Sequence, residues 1–181
     1  STSQTFSVLV LNTNDGPTVS MGIADAEATE GVSFQIALPP DAFSDEDAGD
    51  ALSYSVTLDD GSPLPEWLQF DAQSRTLVGV GDDAQVGQHR IKVTATDGAG
   101  ASVSTSFTLN MRNVNEGPML EGALADVTID QNSTVNLQLP EGLFSDPDAD
   151  DTLVYTVTLA NGDPAPGWLS FDPVTRTLSG M

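Results

Sequence analysis

The chain has 181 residues, 39% of them hydrophobic, and sets 27 Asp+Glu against 5 Lys+Arg for a formal net charge of −22. No basic patch is available to meet phosphates, so nucleic acid and anionic membrane surfaces are excluded as partners, and no apolar run reaches the roughly 18 residues of a membrane span. There is no cysteine, hence neither disulfides nor thiol chemistry; self-repulsion of this size costs stability unless something neutralises it.

The opening residues already read as a strand. "FSVLVLN" at 6–12 aligns with "FTLNMRN" at 107–113, an offset of 113 − 12 = 101 residues. Residues 1–12 are therefore expected to be the last strand of a preceding or split domain. "NTNDGP" from Asn12 recurs as "NVNEGP" from Asn113 at the same offset, and proline there fixes the direction of the chain into the next strand.

Alternation of apolar and polar residues then predicts strands along 13–112, a complete domain. Val32, Phe34, Ile36 and Leu38 form one face, and Leu52, Tyr54, Val56 and Leu58 another. Short strands fit "WLQFD" and "TLVGV". Ile91, Val93 and Ala95 follow, then Val103, Thr105, Phe107, Leu109 and Met111. Gly, Pro, Asp and Asn punctuate the gaps and no stretch shows a helical period, so the class is all-β, an antiparallel sandwich.

The remainder, 113–181, repeats the first domain. Residues 43–80 and 144–181 align without a gap and share 22 of 38 positions. A period near 100 residues fits one sandwich per repeat. No counterpart of 81–112 follows, so this second domain is expected to lack its C-terminal strands, and one reading has strand 6–12 of one copy completing the second domain of another.

"FSDEDAGD" at 43–50 and "FSDPDADD" at 144–151 repeat an acidic cluster. Asp45, Asp47 and Asp50 recur as Asp146, Asp148 and Asp151, while Glu46 becomes Pro147. Residues two apart on an extended segment point the same way, so each Asp pair aims its charges at one point, where a cation would relieve the repulsion. Oxygen donors suit calcium. The spacing is not that of an EF-hand, which needs Gly at its sixth loop position and Glu at its twelfth; Asp50 and Val56 stand there instead. Further ligands must come from elsewhere, and the junction motifs offer Asn12, Asn14 and Asp15, and Asn113, Asn115 and Glu116.

Other residues carry plainer expectations. Trp67 and Trp168, flanked by Leu68 and Phe70 or Leu169 and Phe171, are expected in the core rather than as sugar platforms. His89 is expected at the surface, and Arg75 and Arg176 to pair with Asp71 and Asp172. A lone histidine gives no zinc site or serine-type triad. Duplicated carboxylate pairs suit a structural metal better than glycoside hydrolysis, so no enzyme activity is expected.

The stretches "EG" at 30–31, "FSDEDAGDALSYSVTLDDGSPLPEWLQFDAQSRTLVG" at 43–79, "VTATDGAGA" at 93–101 and "NVNEGP" at 113–118 resemble a cadherin-like repeat. The resemblance is strongest to the dystroglycan-type cadherin-like repeat of large bacterial surface proteins. It implies a Greek-key β-sandwich of cadherin/Ig-like type in tandem, with Ca2+ between successive repeats. The first junction would use Asn12, Asn14, Asp15, Asp45, Asp47 and Asp97. The second would use Asn113, Asn115, Glu116, Asp146 and Asp148, joined by Glu30, with Asp82 or Asp83 standing in for further acidic ligands. Gln131 stands where the second copy would need the Glu30 equivalent. The implied role is a calcium-rigidified extender or adhesion segment of an extracellular bacterial protein, with neighbouring repeats as its first partners. The alternative is a calcium-dependent module recognising a polysaccharide or a cell-surface protein.

Overall fold

A computed structural model of the chain describes residues 2–47 and 49–181. Ser1, in the predicted strand 1–12, and Ala48, inside the first acidic stretch, lie outside the described residues. The chain divides into two compact units, Ser1–Val114 and Asn115–Met181.

Unit 1 contains β1 (Thr18–Val19), β2 (Ala26–Thr29), β3 (Phe34–Ala37), β4 (Phe43–Ser44), β5 (Ser53–Leu58), β6 (Leu68–Asp71), β7 (Thr76–Gly79), β8 (Gly87–Thr96) and β9 (Ser102–Arg112). One sheet runs β2-β9-β8-β5, the other β3-β7-β6, and β1 pairs with β4 at one end. The long β8–β9 hairpin is the spine. Its inward residues Ile91, Val93 and Ala95 are 0% exposed, and Phe107, Leu109 and Met111 lie against the same core. Leu68 and Leu77 fill that core from the facing sheet, with Ala28, Leu38 and Phe43 around them. This is the period-2 burial that alternation predicts. One pair departs from antiparallel: β2 runs parallel to β9. The Asp25 carboxylate accepts the Thr108 amide at 2.7 Å just ahead of that ladder and so starts it.

Two expectations need correction in unit 1. His89 is half-buried, because the alternation of β8 turns its ring onto Trp67, with centroids 5.0 Å apart, and its Nε2 lies 2.7 Å from the Gln85 carbonyl. Arg75 does not pair with Asp71. It sits at φ 54° with its guanidinium over the Tyr54 ring at 5.6 Å and donates to the Pro40 carbonyl at 3.4 Å. Asp71 instead accepts the Ser74 hydroxyl and the Gln73 amide, and these bonds hold its carboxyl below the ordinary aspartate range. Residues 6–12, expected to close a preceding or split domain, carry no strand within this chain, and Phe6 and Val8–Leu11 are 75–87% exposed.

Unit 2 contains β10 (Met119–Leu120), β11 (Val135–Gln138), β12 (Phe144–Ser145), β13 (Leu169–Asp172) and β14 (Thr177–Gly180). The sheet β11-β14-β13 reproduces β3-β7-β6, and β10–β12 reproduces β1–β4. Arg176 repeats the φ of 54° and lies over Tyr155, yet its ion pair goes to Glu141 at 3.1 Å rather than to Asp172. Residues 127–130 and 154–159, counterparts of β2 and β5, carry no strand, and only Thr158 makes an isolated bridge, to Pro164. The core expectation fails for Trp168, which is 51% exposed, whereas Trp67 packs edge-on against Phe34 and against His89. His89 belongs to β8, and no described residue of unit 2 takes that place.

The paired positions Leu77 and Leu178 test this difference in packing. Leu77 is 1% exposed and Leu178 half-buried. Leu77→Ala is expected to cost about 2–5 kcal/mol and Leu178→Ala clearly less, measured by chemical denaturation of each variant.

Candidate metal centre

The linker entering unit 1 is tied down by side chains from two separate loops. Asn12 donates its Nδ2 to Asp47 Oδ1 at 2.5 Å, and the Asp15 amide donates to Asp47 Oδ2 at 2.8 Å. Asn14 donates its Nδ2 to Asp97 Oδ2 at 3.0 Å and to the Asp15 carbonyl at 2.9 Å. The Asp47 amide in turn donates to Asp45 Oδ1 at 2.9 Å. Asn12, Asn14, Asp15, Asp45, Asp47 and Asp97 are thus drawn together in one neighbourhood of unit 1.

The positions follow from the local fold. Phe43 is buried against Tyr54, ring centroids 5.9 Å apart, and anchors the start of the acidic loop. The Asp50 amide bonds back to the Asp47 carbonyl at 3.1 Å, closing a turn that gathers the carboxylates of Asp45, Asp47 and Asp50 within 4.8 Å of one another. Asp97 lies where β8 turns into β9. Its Oδ1 accepts the amides of Ala99, Gly100 and Ala101 at 3.0, 2.7 and 2.8 Å, which leaves Oδ2 for Asn14. The Asn14 amide first, then these backbone bonds, hold the Asp97 carboxyl below the ordinary aspartate value.

No protein cation offsets this charge. Arg90 pairs with Asp59, Arg112 with Glu27 and Arg176 with Glu141. Lys92 donates to the Asp59 carbonyl, and Arg75 covers Tyr54. Those are all five basic residues of the sequence. Among the described residues, Asp45 Oδ2 is buried with no hydrogen-bond partner, an oxygen with a lone pair to give and nothing to take it.

Unit 2 repeats the arrangement. The Glu116 amide donates to Asp148 Oδ2 at 2.8 Å, the Asp148 amide to Asp146 Oδ1 at 3.1 Å, and Asn115 Nδ2 to the Glu116 carbonyl at 2.7 Å. The carboxylates of Asp146, Asp148 and Asp151 converge within 4.8 Å. Glu30 and Asn113 both belong to unit 1. Glu30 lies beside the far end of β9, away from Asp97: its amide donates to the Arg112 carbonyl and its Oε1 accepts the Val114 amide. Asp82 accepts the Ala84 amide to cap the short turn Asp83–Gln85, which commits that carboxylate to the backbone. Asp50 and Asp151 stand outside the ligand set carried over by resemblance, although their recurrence at the repeat offset marks them, and the structure places both in the convergent groups.

A family described as "Putative Ig domain" matches residues 16–112 and 117–181. The chain belongs to this Ig-domain family. Solved structures agree on the fold. Mouse cadherin-23 EC22–24 is 16% identical, with 93% of this chain and 54% of that chain covered at a TM-score of 0.59. Protocadherin gamma C5 EC1–3 is 17% identical, with 96% and 59% covered at a TM-score of 0.52. An endo-fucoidan hydrolase of glycoside hydrolase family 107 is 22% identical, with 95% and 25% covered, but its TM-score of 0.48 carries no argument. The chain therefore spans under two thirds of each of these proteins. The Ig-family match and the two cadherin structures establish tandem Ig-like, cadherin-like β-sandwich repeats. No helix among the described residues is long and apolar enough to cross a membrane.

Asp47 is the residue on which the linker turns. Asp47→Ala removes the acceptor of both Asn12 and Asp15, each a bond to a charged group worth about 1.5–3 kcal/mol. Exchange of the Asp15 amide is expected to speed up by about tenfold or more, read by hydrogen–deuterium exchange. Asp60→Ala, a carboxylate that bonds Ser62 in its own loop and not the linker, is expected to leave that amide unchanged.

Proposed function

We propose that this chain is a calcium-rigidified extender or adhesion segment of an extracellular bacterial protein, built from cadherin-like repeats. The observation that carries the reading is the same oxygen cluster built twice. In both units a linker amide is held by the second Asp of a D-x-D pair at 2.8 Å, and a third Asp closes on the pair within 4.8 Å. The donor set fits calcium. It consists of carboxylates and amide carbonyls with no nitrogen or sulfur ligand, and hard oxygen donors select calcium over zinc or copper.

In unit 1 the residues that would hold the ion are Asp45, Asp47, Asp50 and Asp97 with Asn12, Asn14 and Asp15. In unit 2 they are Asp146, Asp148 and Asp151 with Asn115 and Glu116; Glu30 and Asn113 are assigned to the second junction on the resemblance alone. The asparagine amides carry NH2 on one side and a carbonyl oxygen on the other, so half a turn about χ2 exchanges a bond to a carboxylate for a ligand oxygen. The ion supplies positive charge among carboxylates that no lysine or arginine neutralises. The side chains then fix the linker to the domain that follows it, which is what a spacer under load requires. Extracellular calcium, and the resemblance to repeats of bacterial surface proteins, support that location.

Calcium at a hundredfold excess over its dissociation constant adds about 2.7 kcal/mol, and each kcal/mol shifts a domain of this size by roughly 4–8 °C. Thermal unfolding in excess calcium is therefore expected to rise by about 10 °C or more over unfolding in chelator. Asp45→Asn/Asp47→Asn should lose most of that rise in unit 1. Equal melting with and without calcium would overturn the reading. A glycan array probed with and without calcium separates the spacer, which binds nothing on it, from a recognition module.

A further inference from the structure

The turn ahead of β11 carries an asparagine where unit 1 has a glycine. Gly31 has a φ of 67°, and the Val32 amide closes its turn by donating to the Thr29 carbonyl at 3.3 Å. At the repeat offset Asn132 has a φ of 64°, and the Ser133 amide donates to the Asp130 carbonyl at 3.1 Å. Asparagine tolerates this left-handed backbone better than most residues with a side chain, so the turn accounts for Asn132. It does not account for the residues around it. Thr134 completes the triplet Asn-Ser-Thr, and Asn132 is the only asparagine in the sequence with Ser or Thr two residues on. Asp130 places a carboxylate two residues ahead.

The Asn132 side chain is accessible and uncommitted. Asn132, Ser133 and Thr134 are all exposed, and no hydrogen bond among the described residues engages the Asn132 amide. By contrast Asn12, Asn14, Asn115 and Asn161 each donate Nδ2 to an oxygen. The exposure is a property of the turn itself. In unit 1, where β8 and β9 are packed in place, Gly31, Val32 and Ser33 are exposed as well, and a Cβ added to Gly31 would meet nothing within 4 Å. A side chain at this turn position therefore has open space around it even where the neighbouring strands are present.

We propose that Asn132 is an acceptor site for N-linked glycan, presented by the folded turn. Asn-x-Ser/Thr on a surface loop is the pattern that such transfer requires. The sugar donor is an oligosaccharide joined through its anomeric carbon to a polyprenyl diphosphate. Asn132 Nδ2 bonds that carbon, the bond from the carbon to the diphosphate oxygen breaks, the lipid diphosphate leaves with the electron pair, and one amide proton passes to a base of the transferring enzyme. An amide nitrogen is a weak nucleophile, because its lone pair is shared with the carbonyl, so the enzyme must hold the acceptor closely. The Thr134 hydroxyl offers it a hydrogen bond, and the Asp130 carboxylate a charged partner for a cationic groove. The proposal rests on the extracellular location proposed above and not on bound calcium.

The test incubates the full folded chain with a purified bacterial oligosaccharyltransferase and a polyprenyl-diphosphate oligosaccharide that begins in an N-acetylhexosamine. Intact-mass spectrometry is expected to show a gain of a single glycan per chain, and peptide mapping to place it on Asn132. Asn132→Gly restores the residue of unit 1 at a backbone suited to glycine, so this variant should fold and gain nothing. Thr134→Ala keeps the asparagine and its turn and should lose the gain, while Thr134→Ser, which keeps the hydroxyl, should retain it. No gain in mass, a gain that survives Asn132→Gly or Thr134→Ala, or transfer only to the unfolded chain would each overturn the proposal. Transfer in vitro takes cellular location out of the test, and a negative result leaves the calcium dependence of unfolding to stand or fall by its own measurement.

Discussion

The carboxylate of Asp47 sets the geometry at the entry to unit 1. Its two oxygens take the Asn12 amide and the Asp15 backbone, and its own amide is fixed by Asp45. An ionised side chain is the strongest acceptor available for this task, so the linker is held firmly. The same choice crowds Asp45, Asp47 and Asp50 together and leaves a buried oxygen of Asp45 without a partner. A neutral asparagine at position 47 would avoid the repulsion but offer a single acceptor oxygen and a weaker bond. The linker's grip and the local excess of negative charge are thus one property of the site. In the proposed reading, a cation would meet that charge.

These side chains sit on loops, yet the loops are positioned by buried residues. Phe43 packs against Tyr54 and stands two residues before Asp45. Ala95 is 0% exposed and lies two residues before Asp97, whose Oδ1 holds the β8–β9 turn closed through three amides. Both carboxylates therefore inherit their placement from the hairpin core. Damage to that core would disturb the cluster without touching a single ligand.

Much of this was legible in the sequence because the chain repeats itself. The 101-residue offset exposed the domain type, the acidic clusters and the junction motif. Period-2 alternation placed β5, β8 and β9, whose inward faces are the buried ones. What sequence left hidden depends on neighbours. His89 reads as polar but is turned onto Trp67 by the register of β8. Arg75 reads as an ion-pair former but lies on an aromatic ring, since Asp71 is occupied by its own turn. Trp67 and Trp168 share a motif and differ in exposure: Trp67 packs against Phe34 and His89, whereas Trp168 is 51% exposed. The segment 6–12 has the pattern of a strand, and pattern alone cannot supply the partner strand that a ladder requires.

The parallel β2–β9 pair bears on the mechanical role proposed for the chain. The polypeptide enters unit 1 through residues 12–17 and reaches β2 early, and it leaves by way of β9. Tension applied at the two ends of the unit pulls these neighbouring parallel strands in opposite directions along their length. The four registered positions from Ala26 opposite Leu109 to Thr29 opposite Arg112 are then loaded in shear, all at once. The β8–β9 hairpin behind them carries ten registered pairs. Bonds loaded together resist more than bonds opened one after another, and the Asp25–Thr108 bond protects the start of the ladder. The entry linker has no such ladder, and the Asp47 and Asp97 carboxylates hold it through side-chain bonds instead. In the proposed role, a cation at that cluster would add to the side-chain bonds that take the place of a backbone ladder there.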